Sequence, residues 1–435
     1  MKILFLSHYF PPEVNAPATR GYEHCRAWVE EGHEVTVVTC APNHPFGELY
    51  KGYKNRYSVE YKDGIKIIRI KTFMSANEGF IKRTLAYLSF MFSAIFQCFR
   101  FGSHDVVLST SPQFFNGLAG YFVSRLRGLP WALEIRDLWP DSIFAVGAIK
   151  NKFIIKILYK IEKFAYKHCD HIVTVTDSFK EYMIGIGIRQ SKITVIKNGV
   201  DLEFFDEASE LLNQVSAATY DAIGNGVLND KFVASYVGTH GMAHRLETLL
   251  DAADLIKHRK DIHFLLVGGG AERERLIEIV REKNLKNVTL LGQRPKSDMP
   301  WIWSKTDASI VHLKKDDVFK SVIPSKIFES MAMRKPVILG VEGESAGMIQ
   351  EAGSGIVVEP ENSKALAEAV ITLADDKAKV KCMGENGRDY VESNFDRNVL
   401  ARVFEHILSR VVDNDSGIGS TTAIEIDLQR EKAMP

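Results

Sequence analysis

Short apolar runs recur between longer amphipathic stretches from the first residues of the chain to about residue 358. They include Ile3-Leu4-Phe5-Leu6, Val35-Thr36-Val37-Val38, Val106-Val107-Leu108, Trp131-Ala132-Leu133-Glu134-Ile135, Ile172-Val173-Thr174-Val175, Phe232-Val233-Ala234-Ser235-Tyr236-Val237, Phe264-Leu265-Leu266-Val267, Val288-Thr289-Leu290-Leu291 and Ile356-Val357-Val358. Runs that do not alternate apolar with polar residues fit strands covered on both faces, and strands separated by helix-length segments fit a parallel sheet. At 435 residues the chain exceeds one ordinary domain and suits two of about 200. The turn after the first run reads His8-Tyr9-Phe10-Pro11-Pro12-Glu13-Val14-Asn15-Ala16-Pro17-Ala18-Thr19-Arg20. It lacks the Gly-x-Gly-x-x-Gly spacing that lets a dinucleotide pyrophosphate approach the backbone.

The densest chemistry lies at Pro324-Ser325-Lys326-Ile327-Phe328-Glu329, which leads into the apolar run Val337-Ile338. Pro324 bars an earlier helix start and Ser325 is expected to cap, leaving the first free amides to face an anion. Lys326 and Glu329 share a face, with the cation toward the helix start. That order suits a nucleotide diphosphate sugar, with Lys326 against the phosphates and Glu329 accepting from ribose hydroxyls. A solvated Lys/Glu pair fits the same spacing.

Composition narrows the setting. The five cysteines, Cys25, Cys40, Cys98, Cys169 and Cys382, are scattered and never at metal-ligand spacing, which fits a reducing cytoplasm. The opening apolar run is too short for a signal peptide core and reads as a first strand. Zero net charge hides an asymmetry: residues 1–200 carry 26 basic against 17 acidic side chains, and the remainder 29 against 38. A basic half suits an anionic surface, either a nucleic acid or an acidic membrane.

Two stretches bear on that choice. Residues 84–99 carry no charge, yet 16 residues fall short of the roughly 20 needed to span a bilayer; the run either packs in the domain or lies in a membrane interface. Lys152, Lys156, Lys160, Lys163 and Lys167 form a stripe beside Phe153, Ile154, Ile157, Leu158, Ile161 and Phe164. This is a basic amphipathic helix, which serves equally as a solvated face over a core or as a membrane contact. Without interleaved aromatics or a recognisable module, a nucleic-acid partner is not expected.

Ligands in parallel sheets gather at the strands' carboxyl ends. Ser111 lies in the small-residue loop after the run at 106–110, and Asp137 follows the run at 131–135. Asp137 is the first choice to steer or deprotonate an acceptor hydroxyl, with Glu134 second; a structural carboxylate paired with Arg136 is the alternative.

Pro324-Ser325-Lys326-x-Phe328-Glu329-x-Met331-Ala332, followed by Lys335-Pro336-Val337-Ile338, resembles the donor-site signature of the retaining glycosyltransferases of family 4. The similarity runs from Met1 to about Val412. It implies an α/β GT-B fold: two Rossmann-like parallel-sheet domains facing a cleft, with a C-terminal helix crossing back to the first. It implies an acceptor-binding domain at 1–198, a donor-binding domain at 199–388, the returning helix at 389–412 and a flexible tail at 413–435. Asn198-Gly199-Val200-Asp201 matches the crossover, and residues 206–230 read as an irregular insertion.

By the same resemblance, the loop containing Glu13 and Arg20 faces the acceptor, with Arg20 toward a phosphate; bound instead in a surface salt bridge, Arg20 would be structural. Gln293 and Arg294 line the base pocket. Ser321 stands where many members have a first glutamate, and the usual arginine and lysine after the second domain's first strand are not clearly matched. Their roles pass to His240, His244 and Arg245 and to the backbone of Gly238, Gly241 and Gly268, beside Pro324 and Ser325. The Val322-Ile323-Pro324-Ser325-Lys326 pattern is similar to a bacterial O-antigen and capsule branch that includes N-acetylfucosamine transferases. The expected reaction takes a sugar, an N-acetylated deoxyhexose by that branch, from a UDP-sugar to a lipid-linked saccharide at the inner face of the cytoplasmic membrane. No cofactor or metal is expected; Asp413-Asn414-Asp415 matches a metal motif by spacing alone. A nucleotide-sugar epimerase of the same architecture and a degenerate, membrane-bound binding protein are the rival readings.

Overall fold

A computed structural model describes residues 1–44, 47–75, 80–140, 151–207, 209, 212, 214–224 and 226–414. The chain divides into two compact units: Met1–Lys197 with the chain from Arg397 onward, and Asn198–Asp396.

The first unit holds strands β1 (Lys2–Leu6), β2 (Glu34–Cys40), β3 (Ser58–Lys62), β4 (Ile65–Ile70), β5 (Val106–Thr110), β6 (Trp131–Ile135), β7 (His171–Thr174) and β8 (Ile193–Val195). They lie in the order β3-β4-β2-β1-β5-β6-β7-β8, and among them only β3 is antiparallel, pairing with β4. Strand order reverses between β1 and β5, the crevice where such sheets receive ligands. Asn116 pins it by donating to the Leu6 and Thr110 carbonyls at 2.7 and 2.8 Å.

Helices cover both faces, which is why most of the strand sequences are apolar. Helix α1 (Ala16–Glu30) starts where the Asn15 side chain accepts from the Ala18 amide, a standard N-cap. With the helix Arg397–Val412 it buries one face, Trp28 and Phe404 packing over Phe5, Val37 and Val106. Helices α2 (Phe80–Gln97), α3 (Phe114–Arg127), α4 (Lys152–His168) and α5 (Asp177–Gly185) cover the other. The uncharged run at 84–99 thus packs through Phe90, Met91 and Ala94, while Phe92, Phe96 and Phe99 remain exposed. Among the described residues no helix is long and apolar enough to cross a membrane.

The second unit orders β9 (Phe232–Val237), β10 (Ile262–Val267), β11 (Val288–Leu291), β12 (Ala308–His312), β13 (Val337–Gly340) and β14 (Gly355–Val357) as β11-β10-β9-β12-β13-β14, every recorded pair parallel. Its reversal falls between β9 and β12. Residues 206–230 differ from the expected irregular insertion. They contain helix α6 (Ala217–Ile223), fastened because Asp298 accepts from the Ser216 amide and from the Ser216 and Thr219 hydroxyls. Further along come α7 (Glu247–Leu255), α8 (Arg273–Glu282), α9 (Met299–Ser304), α10 (Lys326–Ala332), α11 (Glu344–Ala352), α12 (Ser363–Ala374) and α13 (Lys377–Asn394). Helix α13 runs unbroken past residue 388 and stays with the second unit. The return to the first begins at Arg397 rather than at 389.

Candidate active site

In the second unit, ligand-facing chemistry converges at the β9/β12 reversal. Gly238 ends β9 with φ +146°, and a Cβ there would stand 2.6 Å from Lys326 Nζ. Gly268 ends β10 with φ +145°, its notional Cβ 1.8 Å from the Gly238 carbonyl oxygen. Both positions therefore require glycine, and the Gly268 turn presses the 238–240 loop against its neighbours.

Lys326 Nζ lies 3.6 Å from the centroid of the Tyr236 ring. It is buried and has no hydrogen-bond partner. Burial brings its pKa down to about 7, with Glu329 one turn on acting in the opposite sense. Tyr236 is itself immobilised, its hydroxyl donating to the Thr239 carbonyl at 2.8 Å. His240 is fully buried with both ring nitrogens unpartnered, and His244 Nδ1 is likewise unpartnered. Burial first, and Lys326 among the neighbouring cations, lower their pKa values to about 4 and about 3. Arg273 opens α8 with Nη1 unpartnered, and Arg294 Nε is buried without a partner. Buried donors without partners, such as those of Lys326 and His240 beside Gly238 and Gly268, are costly in isolation, and an anion is the kind of ligand that would satisfy them.

Several expected residues sit differently. Ser325 occupies the cap position of α10 but has helical dihedrals and makes no side-chain cap. The Ile327 and Phe328 amides already donate to Pro324 and Ser325 carbonyls. Anion attraction here thus rests on side chains rather than on the start of a seven-residue helix. Arg245 points away into an ion pair with Glu361 at 2.8 Å. Ser321 closes a 3-10 turn by donating to the Val318 carbonyl, and Gly241 accepts from the His244 amide. Gln293 is exposed alongside Gly269. Tyr236, Arg273 and His312 were not foreseen. His312 accepts from the Glu361 amide at Nε2 and thereby donates from Nδ1 to the His244 carbonyl, which makes it neutral and a prop for that loop. An arginine in a helix's first turn opposes the helix dipole, and that was the available signal for Arg273.

In the first unit, Asp137 and Ser111 share a cavity at the carboxyl end of β6 with Gln113, Trp139 and Glu162. Phe114 stacks on Trp139 at 5.5 Å and forms one wall. The residues just beyond, 141–150, lie outside the described set. Glu134 and Arg20 are corrected: they form a buried ion pair, Nε to Oε1 at 3.0 Å. Arg20 also reaches the Ile196 and Lys197 carbonyls, and Thr110 donates to Glu134 at 2.5 Å. Neither group is presented to a ligand. Glu13 accepts from the Phe10, Asn43 and His44 amides and so organises its loop. Arg136 reaches back to the Ala16 and Pro17 carbonyls. A second cavity, over β1, β2 and β4, went unforeseen: His8, Tyr9, His44, Arg83 and Tyr87 line it, the two tyrosine hydroxyls 3.3 Å apart. No cluster of His, Cys, Asp or Glu suited to a metal occurs among the described residues.

The comparisons bear on both halves. Residues 18–204 match the model described as Glycosyltransferase Family 4, and residues 223–390 match Glycosyl transferases group 1. WcaI, a glycosyl transferase assigned to colanic acid biosynthesis in Escherichia coli K12, is 23% identical over 93% of this chain and 98% of its own. An Escherichia coli UDP-Gal:alpha-D-GlcNAc-diphosphoundecaprenol alpha-1,3-galactosyltransferase is 27% identical over 69% and 73%. The solved structure of sucrose-phosphate synthase from Thermosynechococcus elongatus superposes with TM-score 0.73, at 18% identity, over 95% of this chain and 100% of that one. The fold is GT-B, and the chain is a glycosyltransferase. Within that class its first half carries the family 4 pattern and its second half the group 1 pattern, as the expected signature at 324–338 implied.

Proposed function

We propose that the second unit holds a nucleoside diphosphate sugar and the first a lipid-linked saccharide, and that the enzyme transfers the sugar with retention during assembly of a bacterial surface polysaccharide. The observation that carries this reading is the set of buried, unanswered donors on Lys326, His240, His244 and Arg273 around Gly238 and Gly268. As the glycosidic bond to the leaving diphosphate breaks, negative charge grows on its oxygens and positive charge on the sugar. Fixed donors in a desolvated notch stabilise the former without reorganising. This assigns charge compensation to protein cations rather than to a divalent ion. In this reading Asp137, which lines the cavity at the end of β6, takes the acceptor proton.

The relatives support the choice of substrates. The galactosyltransferase's name pairs a UDP-sugar with a diphosphoundecaprenol acceptor, and the name of the Escherichia coli K12 relative assigns it to colanic acid biosynthesis. An N-acetylated 6-deoxyhexose on UDP remains the donor we favour from the 322–326 pattern. Exposed Phe92, Phe96 and Phe99 and the lysines of α4, with Phe153, Ile154 and Ile157, belong to helices on one face of the sheet. That combination supports peripheral docking on an anionic membrane, the inner face of the cytoplasmic membrane being the natural site for a lipid-linked acceptor. Calorimetric titration with UDP, GDP and TDP tests the donor half. Binding selective for UDP, weakened at least tenfold in Lys326→Ala, is expected; no binding by any of the three refutes it.

A further inference from the structure

We propose that Lys326 is a ligand-gated cation, only partly protonated before a nucleoside diphosphate binds and fully protonated once it has bound. The inference rests on reading this notch as the donor site. Its basis is geometric. The amine is buried against the face of Tyr236 and no acceptor reaches it.

The groups that face it come from every neighbouring element. From β9 there is Tyr236, whose ring face offsets part of the burial penalty of an ammonium and whose hydroxyl is committed to Thr239. The following loop contributes His240 and His244, and the end of β12 contributes His312; Lys326 is among the causes lowering the pKa of all three. On its own helix Glu329 favours the charged form. Beyond His240 stands Arg273, and beyond His312 stand Glu361 and Arg245. The nearest groups are therefore neutral imidazoles and a neutral ring, with a single carboxylate in support. With a pKa of about 7, roughly a tenth of the amine is protonated at pH 8.

A diphosphate in the notch reverses the balance by placing at least two negative charges within reach of Nζ. The lone pair on Nζ then takes a proton from the buffer, and the new ammonium donates to the phosphate. The histidines are poorer acceptors of that proton, because their pKa values of about 3 to 4 would have to rise much further. One role follows directly: the charge on Nζ is greatest while phosphate is present, when it adds to the permanent charge of Arg273.

The sign of the linkage is fixed. A proton bound together with ligand makes affinity fall as pH rises, about tenfold per unit above pH 8, and flatten below about pH 7, where Lys326 is already charged. The terminal phosphate of a nucleotide titrates near pH 6 and contributes nothing at pH 8. The test is calorimetry with UDP at pH 8 in buffers of different ionisation enthalpy, which counts protons directly. Wild type should take up about 0.9 proton per UDP. Lys326→Arg, whose side chain is permanently charged, should bind with almost none and show a flat pH profile. Binding by wild type with less than about 0.2 proton overturns the proposal while leaving the donor site intact. Uptake that persists in Lys326→Arg also overturns it, moving the proton to the histidines. Absence of binding in wild type removes the donor-site reading and this inference with it.

Discussion

Replacing Glu134 by alanine separates a structural carboxylate from a catalytic one. Glu134 and Arg20 are each about 95% buried or more, at 3% and 5% exposure, and they contact each other at 3.0 Å. Removing the carboxylate leaves the guanidinium in the interior without its ion-pair partner, with the Ile196 and Lys197 carbonyls among its acceptors. Breaking a buried pair in this way costs about 3–5 kcal/mol. For a unit of this size each kcal/mol lowers the melting temperature by roughly 2–4 °C, so a fall of about 10 °C is expected. Scanning calorimetry should place that loss in the transition of the first unit and leave UDP binding by the second unchanged. The pH dependence supplies an internal control. Burial alone would raise the Glu134 pKa, but Arg20 foremost, then Arg136 and the Thr110 hydroxyl, outweigh it and hold the group below its ordinary value. A depressed carboxylate contributes stability above its unfolded pKa of about 4.3 and loses that contribution as pH falls through the folded value. The gap between wild type and Glu134→Ala should therefore be full at pH 7 and narrow below about pH 4. A variant melting within 2 °C of wild type at pH 7 while turnover collapses would falsify the structural assignment and return Glu134 to the chemistry.

Gly268→Ala drives a Cβ to 1.8 Å from the Gly238 carbonyl oxygen at φ +145°; destabilisation of the second unit by about 2 kcal/mol or more and loss of UDP affinity are expected, and unchanged affinity would mean the turn does not shape the notch. Asp137→Asn should lower transfer about 10²–10⁴-fold while UDP binding holds, and near-normal turnover would exclude it as the base. Phe96 and Phe99 are 81% and 73% exposed, so Phe96→Ser with Phe99→Ser should leave the melting temperature unchanged and reduce sedimentation with anionic phospholipid vesicles; equal sedimentation would exclude these aromatics from the proposed docking surface.

The two sheets were legible because most of their strands are buried on both faces and so write nearly continuous apolar runs. β3 was not, since Ser58–Lys62 is a largely exposed edge strand with a mixed sequence, defined by its pairing with β4 rather than by periodicity. The insertion at 206–230 misled for a related reason: α6 is held by Asp298, some eighty residues away, and nothing local in Ser216 or Thr219 announces that partner. The site divides along the same line. Gly238, Gly268 and Lys326 are required by backbone geometry or by a compact motif, so the sequence points to them directly. Arg20 and Glu134 looked equally reactive, yet they neutralise each other across 114 positions of chain. A charged residue at a strand's carboxyl end is a candidate for chemistry only after its buried partners are known. By that criterion Lys326 in the second unit, whose Nζ is buried without a hydrogen-bond partner, is the candidate whose chemistry stands open to a ligand. In the first unit Arg20, Glu134 and Arg136 hold one another or nearby backbone carbonyls.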